Sequence, residues 1–147
     1  MTETHHLSDI LLVDDDSVDA VIVRRVLRDL AVTNQLVHVT DGDRALAYLR
    51  GQNKETPCVI LLDLNMPTMT GIEFLEIVKA DEVLKGIPVV VVTTSDEQQD
   101  MTMSFELGAA AYVVKSSDYG EFRQKIRTIE RYLAPVQPPA PLEMAPS

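Results

Sequence analysis

At 147 residues the chain is long enough for one domain with a full-sized core and too short for two. A formal net charge of −10 with no compact Lys/Arg cluster argues against non-specific attraction to nucleic acid or an anionic membrane surface. The single cysteine, Cys58, excludes an intramolecular disulfide, no apolar stretch approaches transmembrane length, and Met1 to Ser8 carries no signal-peptide apolar core, so a cytoplasmic protein is expected.

In chain order, residues 1–7 read as a flexible lead-in, with His5 and His6 as part of a solvated terminus. Ile10 to Val13 is a short apolar strand that runs into Asp14-Asp15-Asp16-Ser17. Asp16 or Ser17 can cap the following helix, and its dipole favours acidic groups there. Capping does not explain three consecutive acids, which repel unless a cation compensates them. Val18, Ile22, Val26 and Leu30 at helical spacing predict an amphipathic helix ending near Leu30. Gln35 to Thr40 reads as a strand in which His38 is structural. Asp41-Gly42-Asp43 turns into a short helix with Ala45, Leu46 and Leu49 inward, and Gly51 to Pro57 is a polar loop.

Val59 to Leu62 is a continuous apolar run of the length expected for a strand buried on both faces, and it ends abruptly in Asp63. Cys58 opens that strand and reads as a packing residue. A turn at Thr68 to Gly71 precedes a helix with Ile72, Leu75 and Val78 on one face. Val89 to Val92 is a second doubly buried strand, ending in Thr93-Thr94-Ser95-Asp96. Ser95 or Asp96 is expected to cap a helix over about 97–107, closed by Gly108. In it, Met101, Met103, Phe105 and Leu107 read as core and surface-contact residues rather than a cofactor box. Ala111 to Val114 is a fifth strand, ending at Lys115. A last helix over about 118–133 places Phe122, Ile126, Ile129 and Leu133 at core spacing, and the Pro-rich residues 135–147 read as a flexible tail.

Five strands alternating with five helices predict an α/β fold: a doubly wound, flavodoxin-like parallel sheet over residues 8–134, with strand order 2-1-3-4-5. The polar residues then gather at the carboxyl ends of the strands, where ligands of such sheets bind. Strands one and three lie side by side, so Asp14 and Asp15 meet Asp63. Three carboxylates, with the Asn65 carbonyl nearby, make a hard oxygen site whose natural occupant is Mg²⁺. With a hydroxyl at Thr93 and the amine of Lys115, such a pocket suits the handling of a phosphoryl group, with Asp63 as nucleophile.

These residues resemble the receiver domain of two-component response regulators. The resemblance rests on Asp14-Asp15, on Asp63 within Leu61-Leu62-Asp63-Leu64-Asn65-Met66-Pro67, on Thr93, and on Lys115 after Tyr112-Val113-Val114. It is similar in particular to single-domain, chemotaxis-type receivers, including those that partner phytochrome-like sensor kinases. It implies that Asp63 accepts a phosphoryl group from a kinase phosphohistidine and that Asp15 ligates Mg²⁺ directly. Asp14 acts often through water, and Asn65 lends its backbone carbonyl. Thr93, with Thr94 beside it, binds the phosphoryl group, Tyr112 swings inward, and Lys115 pairs with the phosphoryl oxygens. The face of the fourth helix, fifth strand and fifth helix then meets a downstream protein, a phosphotransfer protein or a second copy. One departure stands out. The family has a proline after the lysine, joined by a cis bond, where this chain has Ser116. A cis bond to a non-proline residue costs about 3 kcal/mol, so Lys115-Ser116 is expected to be trans with an altered loop, or cis and strained. Two other readings stay open: a degenerate receiver that only docks, and a Mg²⁺-dependent aspartyl phosphatase of the haloacid-dehalogenase type. The latter requires a general-acid aspartate where Asn65 stands.

Overall fold

A computed structural model describes residues 7–51 and 56–133. The expectations for residues 1–6, for the middle of the Gly51 to Pro57 loop and for the Pro-rich tail lie outside the described residues. Strands β1 (Ile10–Val13), β2 (Leu36–Val39), β3 (Val59–Leu62), β4 (Val89–Thr93) and β5 (Ala111–Val114) form one parallel sheet in the order β2-β1-β3-β4-β5. Helices α1 (Ser17–Asp29), α2 (Gly42–Leu49), α3 (Gly71–Ala80), α4 (Gln98–Glu106) and α5 (Tyr119–Ile126) alternate with them.

The three inner strands are fully buried because both of their faces carry aliphatic residues. Alternation divides these side chains between two cores. Leu11, Val13, Ile60, Leu62, Val89 and Val91 pack with Phe74, Leu75 and Val78 of α3. Ile10, Leu12, Val59, Leu61, Val90 and Val92 pack with Val23, Val26 and Leu27 of α1 and Phe122 and Ile126 of α5. The register pairs Val13 with Leu62 across β1 and β3, and the Asp63 N–H continues the ladder to the Val13 carbonyl at 3.0 Å. Residues 14 and 63 therefore leave the sheet side by side.

Three local expectations are corrected. In α1, Val18 and Ile22 are exposed, at 68% and 37%, and the core face is Ala20, Val23, Val26 and Leu27. A strict i, i+4 row gains about 40° per step on a helix of 3.6 residues per turn, so it slides off the buried side, whereas steps of three and four alternate to stay on it. The N-cap of α4 is Glu97 rather than Ser95 or Asp96, and it makes no side-chain capping bond. The Ser95 hydroxyl instead donates to Asp100 at 2.6 Å while accepting from the Glu97 N–H at 3.3 Å. The last helix stays α-helical only to Ile126 and tightens into a 3₁₀ segment over Arg127–Tyr132, which still buries Ile129. Elsewhere the caps follow the chemistry of the sequence. Asp16 accepts from the N–H groups of Val18 and Asp19, and Thr70 and Glu73 form a capping box at the start of α3.

Candidate functional site

Asp14 and Asp63 stand immediately after β1 and β3, and both are almost fully buried, whereas Asp15 is exposed. Asp14 Oδ1 accepts the Asp16 N–H at 2.8 Å, and Asp63 Oδ1 accepts the Asn65 N–H at 3.2 Å. Each carboxylate is thereby tied to the turn that follows its strand. Asp14, Asp15 and Asp63 each present one oxygen, all within 4.8 Å of one another. Carboxylates this close are mutually destabilising, and hard oxygen donors in this number fit a divalent cation such as Mg²⁺ or Mn²⁺.

Lys115 supplies the positive charge of the pocket. Its Nζ lies 2.7 Å from Asp19 Oδ2, 2.9 Å from Asp14 Oδ2 and 3.7 Å from Asp63 Oδ2. Burial alone would lower its pKa. Hydrogen bonds to Asp19 and Asp14, with the charges of Asp14 and Asp63, overcome that, so the ammonium is held above its ordinary value. Burial pushes the Asp14 carboxyl above the usual carboxylate range despite its bonds to the Asp16 N–H and Lys115. Among the described residues no peptide bond is cis, so Lys115-Ser116 takes the trans alternative. The Ser116 hydroxyl donates to Glu121 at 2.7 Å and accepts the Asp118 N–H at 3.1 Å. Sequence reasoning missed Asp19. Its place in the first turn of α1 is already explained by the helix dipole, and its partner is 96 residues away.

Thr93, wholly buried at the end of β4, has an oxygen that accepts from two N–H groups: Asn65 Nδ2 at 3.4 Å and the Ser95 backbone at 3.3 Å. With those acceptor positions filled, the hydroxyl proton is left to donate, which suits it to a phosphoryl oxygen. Asn65 Nδ2 also reaches the hydroxyl of exposed Thr94 at 3.4 Å. The Tyr112 hydroxyl donates to the Ser95 carbonyl at 3.0 Å, and its ring lies 6.4 Å from that of half-exposed Phe105. Burial raises the Tyr112 pKa despite the bond to Ser95. A continuous chain of contacts thus runs from Thr93 through Ser95 and Tyr112 to the surface of α4. His38 stays outside the acid cluster and donates from Nε2 to the Asp14 carbonyl at 2.7 Å.

This sheet order, with paired acids, a strand-end aspartate, a hydroxyl and a lysine at one edge, defines a phosphorylatable signalling module. The chain belongs to the response regulator receiver domain family, which it matches over residues 10–127. It is 38% identical over 127 residues to the response regulator Rcp1 of Synechocystis sp., spanning 84% of this chain and 86% of that protein. The crystal structure of the phosphorylated cyanobacterial phytochrome response regulator RcpA superposes with a TM-score of 0.77 at 38% identity, covering 86% of this chain and 93% of the other. The Mn²⁺-bound form of Rcp1 gives 0.78 at 38% identity, covering 90% and 99%. The protein is therefore a receiver of the two-component type, a signalling domain. Among the described residues no helix is long and apolar enough to cross a membrane.

Proposed function

We propose that the receiver unit, residues 8–134, takes a phosphoryl group on Asp63 from the phosphohistidine of a sensor kinase. The observation that carries this reading is the buried Asp63 carboxylate, clustered with Asp14 and Asp15 and facing the Lys115 ammonium at 3.7 Å. Asp14, Asp15 and Asp63, with the Asn65 carbonyl, would hold Mg²⁺, which when bound supplies positive charge to the phosphoryl oxygens. An Asp63 oxygen attacks phosphorus. The new P–O bond forms as the P–N bond to the imidazole breaks, and the electron pair returns to the ring nitrogen. Lys115 takes one equatorial oxygen and the Thr93 proton another. The same geometry suits small donors such as acetyl phosphate, and hydrolysis of the product by water.

The likeness to phytochrome response regulators points to a phytochrome-type histidine kinase as donor, in the cytoplasm, where ATP-dependent kinases charge their histidines. The signal would leave through the face of α4, β5 and α5, towards a downstream protein, a phosphotransfer protein or a second copy of the chain. Intact mass after incubation with acetyl phosphate tests the acceptor. One added phosphoryl group is expected on the wild type with Mg²⁺, and none without Mg²⁺ or on Asp63→Asn. Addition to Asp63→Asn would refute the assignment.

A further inference from the structure

Asp19 belongs to neither the acid pair nor the phosphoacceptor strand, yet it makes the shortest contact to Lys115, at 2.7 Å. It is not one of the three carboxylates that converge on the cation position. Nor does its side chain cap α1, since Asp16 accepts the free amides of the first turn. The Lys115 side chain is 11% exposed and that of Asp19 29%, so the pair is partly shielded rather than a fully solvated surface contact. An ammonium has three donors. Asp14 and Asp19 occupy two of them, which leaves the third for Asp63. A cation drawing on Asp14 would leave Asp19 as the one carboxylate still dedicated to Lys115. After the lysine, residue 116 carries no ring to fix its φ, and the loop is held instead by the Ser116 hydroxyl, which donates to Glu121 at 2.7 Å and accepts the Asp118 N–H at 3.1 Å.

We propose that Asp19 is a positioning residue for phosphoryl transfer: from the first turn of α1 it aims the Lys115 ammonium at Asp63, in place of a backbone restraint after the lysine. This rests on Asp63 being the acceptor. It follows that a rigid residue at 116 and a carboxylate at 19 are interchangeable ways of holding one charge, so each should matter most when the other is missing.

The test uses the full chain with acetyl phosphate at saturating Mg²⁺, in wild type, Asp19→Asn, Asp19→Glu, Ser116→Pro, Ser116→Ala and the double variant Asp19→Asn/Ser116→Pro. Asp19→Asn is expected to lower the maximal labelling rate by about ten-fold without raising the acetyl phosphate concentration at half-maximal rate. Asp19→Glu should recover part of the loss. Ser116→Pro should raise the rate more in the Asp19→Asn background than in the wild type, and Ser116→Ala, which only removes the hydroxyl, should not. Beryllofluoride titrations followed by NMR give a readout without turnover. Affinity should fall by about ten-fold in Asp19→Asn while Mg²⁺ alone binds within about two-fold of wild type. Equal labelling and beryllofluoride binding in Asp19→Asn, an equal loss of Mg²⁺ affinity, or a double variant no better than Asp19→Asn would each overturn the proposal. A wild type that takes no phosphoryl group would overturn it together with the phosphoacceptor reading.

Discussion

Gly71 decides how closely α3 approaches the phosphoacceptor strand, and replacing it with alanine makes that closeness measurable. A Cβ there would lie 2.4 Å from the Asp63 carbonyl oxygen, 2.6 Å from Leu64 Cα and 3.0 Å from the Asp63 carbonyl carbon. Favourable separations between such atoms begin near ~3.5 Å, so the two segments must part by about 1 Å. All three obstructing atoms are backbone, and no rotamer change relieves them. The Gly71 N–H bond to the Leu64 carbonyl, at 3.0 Å, opposes the separation. Overpacking of this kind costs about 1–3 kcal/mol. Because the displaced carbonyl belongs to Asp63 itself, the carboxylate moves with it, and a shift of about 1 Å in a reacting group costs on the order of 10²-fold in rate. Urea unfolding at unchanged m-value reads the first quantity, and the acetyl phosphate labelling rate reads the second. The other glycines calibrate the result. Gly42→Ala would press only on the Met69 side chain, from Sδ back to Cβ at 3.3 Å, and because a side chain can give where backbone cannot it should cost less than Gly71→Ala, about 1 kcal/mol. Gly86→Ala meets nothing within 4 Å and should be neutral or stabilising by about 0.5 kcal/mol. A Gly71→Ala protein as stable as Gly86→Ala and labelled at the wild-type rate would refute the reasoning.

The Ser104 hydroxyl is fully buried in α4 with no hydrogen-bond partner among the described residues, so Ser104→Ala should raise unfolding stability by about 1 kcal/mol, and a loss of that size in urea melts would show a hidden partner. Burial and the bond to Asp9, at 2.9 Å, push the Tyr48 phenol up to about 12. A pKa raised in the folded state stabilises below the ordinary value of 10.0, and the contribution is lost as pH climbs from there to about 12. Tyr48→Phe should remove the last step of the phenolate absorbance titration and flatten the loss of stability in that window. Mg²⁺ at a hundred times its Kd should add about 2.7 kcal/mol to unfolding stability. Asp15→Asn, which removes an exposed carboxylate of the cluster, should abolish that gain while leaving metal-free stability equal or higher, as a calorimetric melt with and without Mg²⁺ would record.

The sheet was legible because its signal is local. A run of four aliphatic residues between polar turns has few alternatives to a doubly buried strand, and β1, β3 and β4 all carry one. The residues at their ends were legible for the same reason. What failed depended on partners distant in sequence or on drift that accumulates along a helix. The exposed Val18 and Ile22 look like core residues until the phase of α1 is followed past two turns. Ser95 has the composition of a cap, but Asp100 captures its hydroxyl. Asp19 looks like any acid in a first turn until the fold brings Lys115 to it. The end of the α-helix at Ile126 had no breaker in the sequence to announce it, since neither glycine nor proline lies between Gly120 and Leu133.

The electrostatics of the pocket bear on why such a site can switch. Three carboxylates, those of Asp14, Asp19 and Asp63, share the Lys115 ammonium, a fourth, Asp15, crowds against two of them, and burial already pushes Asp14 towards its neutral form. On the proposed reading an unbalanced site would respond to each added charge: a cation would relieve the repulsion, and a phosphoryl group on Asp63 would restore part of it while drawing on Lys115 and Thr93. Thr93 has one proton left to give, and its oxygen is held by Asn65 and by the Ser95 amide. Pulling that oxygen towards Asp63 would therefore draw on the Ser95 segment, and the Ser95 carbonyl is what holds the Tyr112 hydroxyl. Tyr112 in turn packs beside half-exposed Phe105. A charge event at a buried aspartate thus has a mechanical route of four residues to a surface that a partner can read, and each link is a named contact that a single substitution can break.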